Sequence, residues 1–438
     1  MSITLTLDQE TQAELTKIGN QVNTIFQKMD QLTTQPPEAP EAPEAPEQIK
    51  LPVHPLTKAR ASEWNTPTSH DDYANPDTFD SIVDKAQNHD IIRLADGWYK
   101  PDVIDFKDRY LTFWSASGKA IFPNSSWKRG HLRVYNITLQ DYETRHQHEG
   151  MLEPGSDSLF VGVTLTNCNG RNLKLTPDTQ NVEFTKGTLD SGGIYNFSML
   201  ESKNIRFYYN KMTNGNTRKE NPKDAASNMK SVKCDGLIMF QNEIMDNHGC
   251  GVWTDNQNHN IIIMQNTIGS RYPVGHALNR TTHAALKFEL SGTNQWSIRN
   301  TFINQNEWAL NYSDTENCTS IEDQFINNQM AINIDSNKRW LDWYEKNLIT
   351  GPLRIIQPTI HQQIHRSNNK SGIYRRYQPY VENTSIEIIN PVVIMPEGTQ
   401  TRSQGEFRTP KTKTIVLNME SLKALPEMQN LQIMTPNI

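Results

Sequence analysis

Asp255 and Glu289 are the two residues of this sequence whose type and spacing best suit acid–base chemistry. They occupy the same position in two successive copies of a short β pattern, GVWTD and ALKFE. If each copy is one strand of a parallel stack, the two carboxyl groups are expected about 5 Å apart. That separation suits the carboxylate pair of a retaining glycosidase, and it can raise the pKa of one group so that it donates a proton near neutral pH. Asp335 lies two copies beyond Glu289, and a spacing of about 10 Å approaches the range of an inverting pair.

Lys230 and Lys287 flank this carboxylate pair in the repeat. A lysine beside a uronate could act as the base of a β-elimination, which makes a lyase the alternative to a hydrolase. In that alternative the carboxylates would hold Ca²⁺; no other metal or cofactor is expected. Trp253 is a flat aromatic side chain of the kind that stacks on sugars. The competing interpretation is a solvated charge ladder, with Trp253 covered by a loop or by a neighbouring subunit.

The repeat behind these positions has the period of a β-solenoid. From Lys230 the equivalent position recurs at Trp253, Lys287, Asn311 and Asn333, in steps of 23, 34, 24 and 22 residues. Such a period, with one longer loop, is typical of stacked β rungs. A second β run in each copy ends near an asparagine, at Asn210, Asn242, Asn266 and Asn300. Asparagines stacked at a corner can satisfy the backbone groups of the turns.

Strand alternation divides the copies into an inward column and two outward columns. The predicted inward column contains Ile194, Met229, Val252, Leu286, Leu310 and Ile332. One outward column contains Tyr195, Lys230, Trp253, Lys287, Asn311 and Asn333, and the other contains Phe197, Val232, Asp255, Glu289, Ser313 and Asp335. We expect the outward columns to be a ligand surface. The candidate catalytic residues are Asp255, Glu289, Lys287 and Lys230, and the candidate substrate-binding residues on the sheet are Trp253, Tyr195, Asn311 and Asp335.

Two insertions, residues 216–227 and 270–283, lengthen the connections that precede the Lys230 and Glu289 copies. Long loops on one side of a solenoid usually build its binding site. Arg271 and His276, from the second insertion, therefore join the substrate-binding candidates.

Composition excludes several classes of function. The formal net charge of -6 gives no reason to expect nucleic acid as a partner. Four scattered cysteines without CxxC spacing indicate buried free thiols rather than a zinc site or a disulfide framework. The first residues lack the basic region and the apolar region of a signal peptide. The sequence also has no run of about 18 apolar residues, so no membrane-spanning helix is predicted.

The first fifty residues follow different rules. Leu15, Ile18, Val22, Ile25, Met29 and Leu32 form a heptad seam. Proline then recurs every third residue in PPEAPEAPEAPE, which favours an extended spacer. A helix held away from its domain points to a coiled coil, although an amphipathic helix packed on its own domain is the alternative. Because so short a helix is marginally stable alone, the larger domain is expected to contribute most of the assembly energy.

The segments IIRLADGWYK and GVWTDNQNHNIIIMQN, followed by KFELSGTNQWSIRN, resemble pectate-lyase-like right-handed parallel β-helix proteins, which include alginate- and chondroitin-type lyases. The resemblance covers residues 77–339, although the calcium-ligand and Lys/Arg base pattern of the lyases is not intact. It implies an all-β, right-handed, three-sheet solenoid that often binds or cleaves polysaccharide. With the coiled coil and linker added, the whole resembles a phage tailspike, for which a homotrimer joined to a larger tail assembly by its N-terminus is expected, although the heptad seam itself does not decide between two and three strands.

The predicted domains are a coiled-coil helix (1–35), a Pro-rich linker (36–50), a capped parallel β-helix (51–340), and final rungs with an extension (341–438). The leading hypothesis is a virion-associated spike that binds bacterial surface polysaccharide and could also depolymerise it. The alternatives are a non-catalytic β-helical adhesin and a free polysaccharide lyase. The expected location is the virion or an extracellular surface.

Deleting residues 1–48 is expected to leave the β domain folded while weakening its self-association or its attachment to a larger particle, because the heptad seam is removed. Light scattering of the full-length and truncated chains measures the difference. A full-length chain that is monomeric at micromolar concentration would remove the coiled-coil prediction.

Overall fold

The computed structural model describes residues 71–336, except 145, 222–226 and 292, and beyond them residues 339–341, 346–348, 353–356, 358–361, 373–377, 386–389, 392–394, 405–407, 415–417 and 432–434. The chain divides into two compact units, Met1–Lys50 and Leu51–Ile438. The predicted coiled coil and Pro-rich linker lie outside the described residues, so both stay predictions.

Three sheets of thirteen strands each form the second unit, with the strands numbered in chain order. Sheet 1 contains β1 (Asp71–Ala74), β2 (Ile91–Leu94), β5 (Tyr110–Trp114), β8 (His131–Tyr135), β11 (Leu159–Val161), β14 (Gln180–Thr185), β17 (Lys203–Tyr208), β20 (Asp235–Phe240), β23 (His259–Met264), β26 (Thr293–Ile298), β29 (Cys318–Ile321), β34 (Leu353–Ile356) and β37 (Ile386–Ile389).

Sheet 2 contains β4 (Val103–Asp105), β7 (Ser126–Lys128), β10 (Gly150–Glu153), β13 (Arg171–Leu175), β16 (Tyr195–Leu200), β19 (Ser227–Val232), β22 (Cys250–Asp255), β25 (Ala284–Glu289), β28 (Trp308–Ser313), β31 (Met330–Ser336), β36 (Ile373–Tyr377), β39 (Gly405–Phe407) and β40 (Ile415–Leu417). Sheet 3 contains β3 (Gly97–Trp98), β6 (Ala120–Pro123), β9 (Ile137–Gln140), β12 (Thr164–Thr166), β15 (Thr188–Asp190), β18 (Lys211–Thr213), β21 (Glu243–Met245), β24 (Thr267–Gly269), β27 (Thr301–Ile303), β30 (Gln324–Ile326), β35 (Thr359–His361), β38 (Val392–Ile394) and β41 (Gln432–Met434).

The chain visits sheet 2, sheet 1 and sheet 3 in turn, so each rung adds one strand to every sheet. Neighbouring strands pair in parallel, apart from β39 with β40 and the separate hairpin of β32 (Arg339–Leu341) and β33 (Lys346–Leu348). This arrangement is a right-handed parallel β-helix, as predicted. The segments LRIIQPTI and IEIINPVVI supply further strands of sheets 1 and 3, as the sequence indicated.

The register of sheet 2 confirms the predicted repeat from Lys230 onward. Lys230 pairs with Trp253, which pairs with Lys287, and the column continues through Asn311 to Asn333. Asp255 and Glu289 pair directly on neighbouring strands. The predicted inward residues from Met229 to Ile332 are all fully buried and belong to one hydrophobic core.

The first predicted copy is wrong by three residues. Phe197, not Ile194, pairs with Met229 and lies in the core, and Ser198, not Tyr195, pairs with Lys230. The small residue that begins each later copy lies at the corner that leads into sheet 2. At this corner two consecutive residues, Ala285 and Leu286, both face the core, so strand alternation does not hold. Asn196 holds the corner position in the first copy, one strand before Asn228. Matching Gly193 to the later glycine and alanines therefore displaced the alignment.

The core begins under a short helix, α1 (Phe79–Lys85), which is the cap of the predicted capped β-helix. Phe79 packs against Tyr99 and Phe122 edge to face, with ring centroids 5.3 and 5.1 Å apart. Aromatic stacks then follow the axis, as in Phe184 and Phe207, 5.6 Å apart. The helix thereby covers the end of the core that would otherwise meet water.

An asparagine ladder closes the short turns between sheets 1 and 3, as predicted. Asn242 donates from Nδ2 to Asn266 Oδ1 at 2.8 Å, and Asn266 donates to Asn300 Oδ1 at 3.0 Å. The backbone N–H of each of these residues also donates to the next side chain. The ladder ends at Asp323, whose Oδ1 accepts from Asn300 Nδ2 at 3.1 Å. Buried turn groups are thus satisfied without water.

The outward surfaces of the three sheets differ in chemistry. Sheet 3 presents a polar column that contains Thr138, Thr164, Thr188, Lys211, Glu243, Thr267 and Thr301. Sheet 1 has an apolar stretch on β20, β23 and β26, where Ile238, Ile262 and Trp296 pair in one outward column that continues to Thr319 and Arg354. Charged side chains recur on sheet 2, and both predicted insertions connect sheet 3 to sheet 2.

Asp323→Asn is expected to stabilise the protein at pH 7 by roughly 1–3 kcal/mol, because it extends the ladder without a buried charge. Burial raises the pKa of Asp323 from 3.8 to about 6. The folded state therefore favours the protonated acid, and the stability that this acid contributes is present below pH 4 and is lost as the pH rises through 6. The advantage of the amide should vanish between pH 6 and 4 in urea titrations. Asp178→Asn, at an exposed acid, is the control, and an Asp323→Asn advantage independent of pH contradicts the prediction.

Candidate functional site

A tryptophan between two lysines lies at the centre of the outward face of sheet 2. Lys230 comes from β19, Trp253 from β22 and Lys287 from β25, and the parallel register stacks the three side chains. The ammonium of Lys230 lies 3.5 Å from the centroid of the Trp253 ring, and that of Lys287 lies 4.4 Å from it. Two cations thus contact one indole, which attracts both through its negative face.

Each lysine also has a carboxylate partner on this face. Lys230 Nζ lies 2.9 Å from Asp255 Oδ2, and Lys287 pairs with Glu289 in its own strand. Exposure is 8% for Asp255, 5% for Lys287 and 6% for Glu289. Burial raises the pKa of Asp255, while Lys230 opposes that rise and Glu289 adds to it. The cluster is charge-neutral, which is how buried charges are tolerated.

The predicted exposure of Trp253 and Asp255 is wrong. Trp253 is only 2% exposed, and its Nε1 has no hydrogen-bond partner among the described residues. An indole that contacts two ammonium groups and is closed to water does not offer the open stacking platform that the sequence suggested. The same burial contradicts the solvated charge ladder, because these ion pairs are largely shielded from solvent.

Asn311 and Asp335 extend the two outward columns, as predicted. Asn311 pairs with Lys287 and is 2% exposed, and its Oδ1 has no partner in the described part of the chain. Asp335 is half-buried and stands two strands beyond Glu289. The register therefore brings both residues to the same face as the lysines.

The insertion at residues 270–283 does not bring Arg271 or His276 to the carboxylates. Arg271 pairs with Asp246, Nε to Oδ2 at 2.5 Å, at the corner between sheets 3 and 2. His276 is exposed and stacks on Tyr272 at 5.2 Å. The end of the insertion reaches the face at His283, whose ring lies 6.3 Å from the Trp253 ring.

Sequence reasoning missed the first rungs of the same face. Lys174, in β13, pairs in register with Ser198 and forms an ion pair with Glu153 at 3.2 Å. Arg171, also in β13, donates to Ser198 Oγ at 3.2 Å and to His148 Nδ1 at 3.1 Å. Extending the period backwards from Tyr195 would have indicated β13, because Arg171 lies 24 residues before Tyr195 and pairs with it. Tyr195 itself stands beside Arg171, with the guanidinium 5.2 Å from its ring.

The described residues do not provide a calcium site at the carboxylates. No group of three or more His, Cys, Asp or Glu side chains in that part of the chain is arranged to hold a metal ion. Asp255 and Glu289 instead pair with ammonium groups, which compete with a cation for the same oxygens. The four cysteines are buried free thiols, as predicted. No described helix is long and apolar enough to cross a membrane.

No protein-family model and no curated protein matches the sequence. Among solved structures, the chain is similar to the A-module of mannuronan C-5 epimerase AlgE4 from Azotobacter vinelandii, with a TM-score of 0.49 and 12% identity over 76% of this chain and 94% of that one. It is also similar to the periplasmic alginate epimerase AlgG, with a TM-score of 0.38 and 11% identity over 76% of this chain and 89% of that one.

A tailspike is found in the same comparison. The enzymatically active domain of tailspike protein 2 of bacteriophage CBA120 aligns with a TM-score of 0.33 and 10% identity, over 74% of this chain and 52% of that one. Because the identities and TM-scores are low, the β-helix is established by the three sheets themselves.

Asp255→Asn is expected to destabilise the protein by about 3 kcal/mol, because it leaves the Lys230 ammonium without its carboxylate in a buried setting. The double variant Lys230→Met with Asp255→Asn should lose less than the sum of the two single variants, by about 1–3 kcal/mol. Chemical denaturation of the four proteins measures this coupling.

Glu201→Gln is the matched control, because Glu201 pairs with Lys233 at 3.0 Å with side chains 43% and 39% exposed. Its loss should stay below about 1 kcal/mol. Additive effects of the Lys230 and Asp255 variants would show that the buried pair does not stabilise the fold.

Proposed function

We propose that this β-helix is a virion-associated spike that binds bacterial surface polysaccharide along the outward face of sheet 2. One observation carries the proposal: polar and charged side chains follow one another in a single column of this face. In chain order the column contains Asp105, Lys128, Glu153, Lys174, Ser198, Lys230, Trp253, Lys287, Asn311 and Asn333. A linear polymer of polar units fits a surface that repeats polar groups about every 4.8 Å along a straight line.

Folding does not require this column. Polar groups on a sheet surface are satisfied equally well by threonine, as sheet 3 illustrates with Thr164 and Thr188. Sheet 2 instead places paired ions at low exposure, where desolvation opposes them. Retaining them is understandable if the face recognises a ligand.

Cleavage of the bound chain is a second candidate, and the environment of Asp255 favours it. Burial raises the pKa of this carboxyl and so favours its protonated form, although the ion pair with Lys230 opposes that rise, and Glu289 on the adjacent strand is the second carboxylate. Asp255 and Lys230 keep 11% and 12% of their side-chain surface exposed, whereas Glu289 and Lys287 keep 8% and 6%. Asp255 is thus the more reachable acid of the two.

The lyase alternative fits the site less well. A lysine that acts as a base must be neutral, but the ammonium groups of Lys230 and Lys287 lie in ion pairs and cannot accept a proton in that state. Calcium would have to displace both lysines from Asp255 and Glu289 to bind there. The same ion pairs hold Asp255 and Glu289 as carboxylates, so hydrolysis is placed before elimination only because burial raises the pKa of Asp255 toward its protonated form.

The virion location and the homotrimer are parts of the same proposal. They rest on the heptad seam of residues 15–32 and the proline-rich spacer that follows it. A non-catalytic adhesin uses the same face for binding alone, so an activity assay separates the two forms of the proposal.

The test is incubation of the full chain with capsule, lipopolysaccharide and alginate preparations, followed by measurement of binding, of new reducing ends and of the ultraviolet absorbance of unsaturated uronates. Asp255→Asn and Glu289→Gln should each reduce the release of reducing ends at least a hundredfold while leaving binding within about threefold, since the amides keep shape and lose proton transfer. Trp253→Ala should weaken binding, because Lys230 and Lys287 lose the ring that orders them.

Asp235→Asn, at an exposed acid of sheet 1, is the matched control for the charge change. Binding without cleavage identifies an adhesin, and unsaturated products that disappear with EDTA identify a calcium-dependent lyase. Unchanged binding in the Trp253 variant, or no binding to any preparation, would overturn the assignment of this face and leave a groove between subunits as the place to search.

A further inference from the structure

Arg171 is a half-buried arginine of sheet 2 that forms no ion pair with a carboxylate in the described part of the chain, although the charge of Glu153 acts on it. Arg171 donates to Ser198 Oγ and to His148 Nδ1, and both acceptors are uncharged. Among the described residues no carboxylate forms an ion pair with Arg171, whereas Lys174 in the same strand has Glu153. The Nε of Arg171 is buried and has no hydrogen-bond partner in that part of the chain. A desolvated guanidinium with an unused donor is suited to an anion.

The groups around Arg171 are arranged as a site rather than as packing. Tyr195 is 6% exposed and lies under the guanidinium, with 5.2 Å between the charged carbon and the ring centroid. Ser198 is 5% exposed and fixes one end of the guanidinium. His148 is exposed and lies at the other end, in the connection from sheet 3 to sheet 2. The opening of the site is therefore on the side where the long connections run.

The local electrostatic potential is positive. Burial lowers the pKa of His148, and Arg171, Lys174 and His146 lower it further. Since a guanidinium can only donate, His148 must accept at Nδ1, which places the proton of the neutral ring on Nε2. Nε2 lies 3.4 Å from the side-chain amide nitrogen of Gln147 at the mouth of the site. Burial also lowers the pKa of Arg171, whereas Tyr195 and Glu153 act in the opposite direction.

We infer that Arg171, His148 and Ser198 form a subsite for an oxyanion: a carboxylate, sulfate or phosphate group carried by the polysaccharide. The inference deepens the proposed function, because it gives the polysaccharide a negative charge. The Arg171 strand lies three strands before the Asp255 strand, about 14 Å away along the axis by strand spacing. Tyr195 connects the two regions, since the charge of Asp255 acts on its hydroxyl. A chain that lies along sheet 2 would meet both.

The experiment follows the ring of His148 in the full chain with ¹³C-labelled histidine, and His148→Gln identifies its signal among the 12 histidines. Acetate, sulfate and phosphate are added separately, with chloride at the same ionic strength as the reference. Each bound oxyanion should shift the His148 signal saturably and raise its pKa, because the anion offsets the charge of Arg171. The strongest of the three indicates which group the glycan carries.

Arg171→Gln should weaken the response at least tenfold, and Arg171→Lys should weaken it less, because it keeps the charge and loses the planar fork. Arg299→Gln is the matched control, at an exposed arginine that pairs with Glu322. A response equal to that of chloride, or one that survives in Arg171→Gln, overturns the subsite. Polysaccharide binding is measured separately, so the subsite can stand when the proposed function fails, and the reverse.

Discussion

The parallel backbone ladder between successive rungs positions the strand side chains of the candidate face. Each residue of a rung pairs with one partner on the next, about 4.8 Å away, so that a column of the sequence becomes a line in space. Trp253 therefore stands directly between Lys230 and Lys287, although 34 residues separate Trp253 from the second lysine. Insertions of any length are accommodated between rungs because they leave the ladder intact. The side chains of a column and the lengths of the connections between rungs can therefore vary independently in this fold.

Such a stack has to satisfy the backbone hydrogen-bonding groups at its corners as well as those in its strands. The Asn242–Asn266–Asn300 ladder does this on one corner, and Asn172, Asn196 and Asn228 do it at the entry to sheet 2. From Gly251 onward that second corner narrows: a Cβ at Gly251 would lie 2.4 Å from the carbonyl oxygen of Ala285. The interior changes from an amide-lined corner to one closed by glycine and alanine. The change in lining lets the later rungs pack more apolar surface.

Buried charges have different partners at the two ends of the candidate face. Around Trp253, two ammonium groups and two carboxylates neutralise one another and share an indole. Around Arg171, a cation is desolvated and held by a hydroxyl and an imidazole, so the positive charge is not neutralised by a described carboxylate. The first arrangement is complete in itself, whereas the second has capacity for an anion. This contrast is the physical reason for proposing the anion subsite at the Arg171 rungs and not at the Trp253 rungs.

Much of the fold can be predicted from the local sequence pattern. Residue type and spacing predict the period from Lys230 to Asn333 and the inward column from Met229 to Ile332. They also predict the asparagine ladder and the helix at the end of the core. Each of the repeating features depends on contacts that recur from rung to rung. The pairing of Asp255 with Glu289 on neighbouring strands follows for the same reason. A sequence alone determines these features when one repeat unit specifies the next.

Tertiary structure decided what depends on contacts outside the period. Alternation fails at the corner, where Ala285 and Leu286 both face the core, and this is why the copy at Gly193 was placed three residues too early. Burial of Trp253 to 2% follows from the three-dimensional surroundings of the face, which a strand pattern does not contain. The meeting of His148 with Arg171 joins a connection to a strand 23 residues later. The repeat period determines which residues align in one column of a sheet. Only the folded chain determines which residues cover that column and which charged side chains form ion pairs.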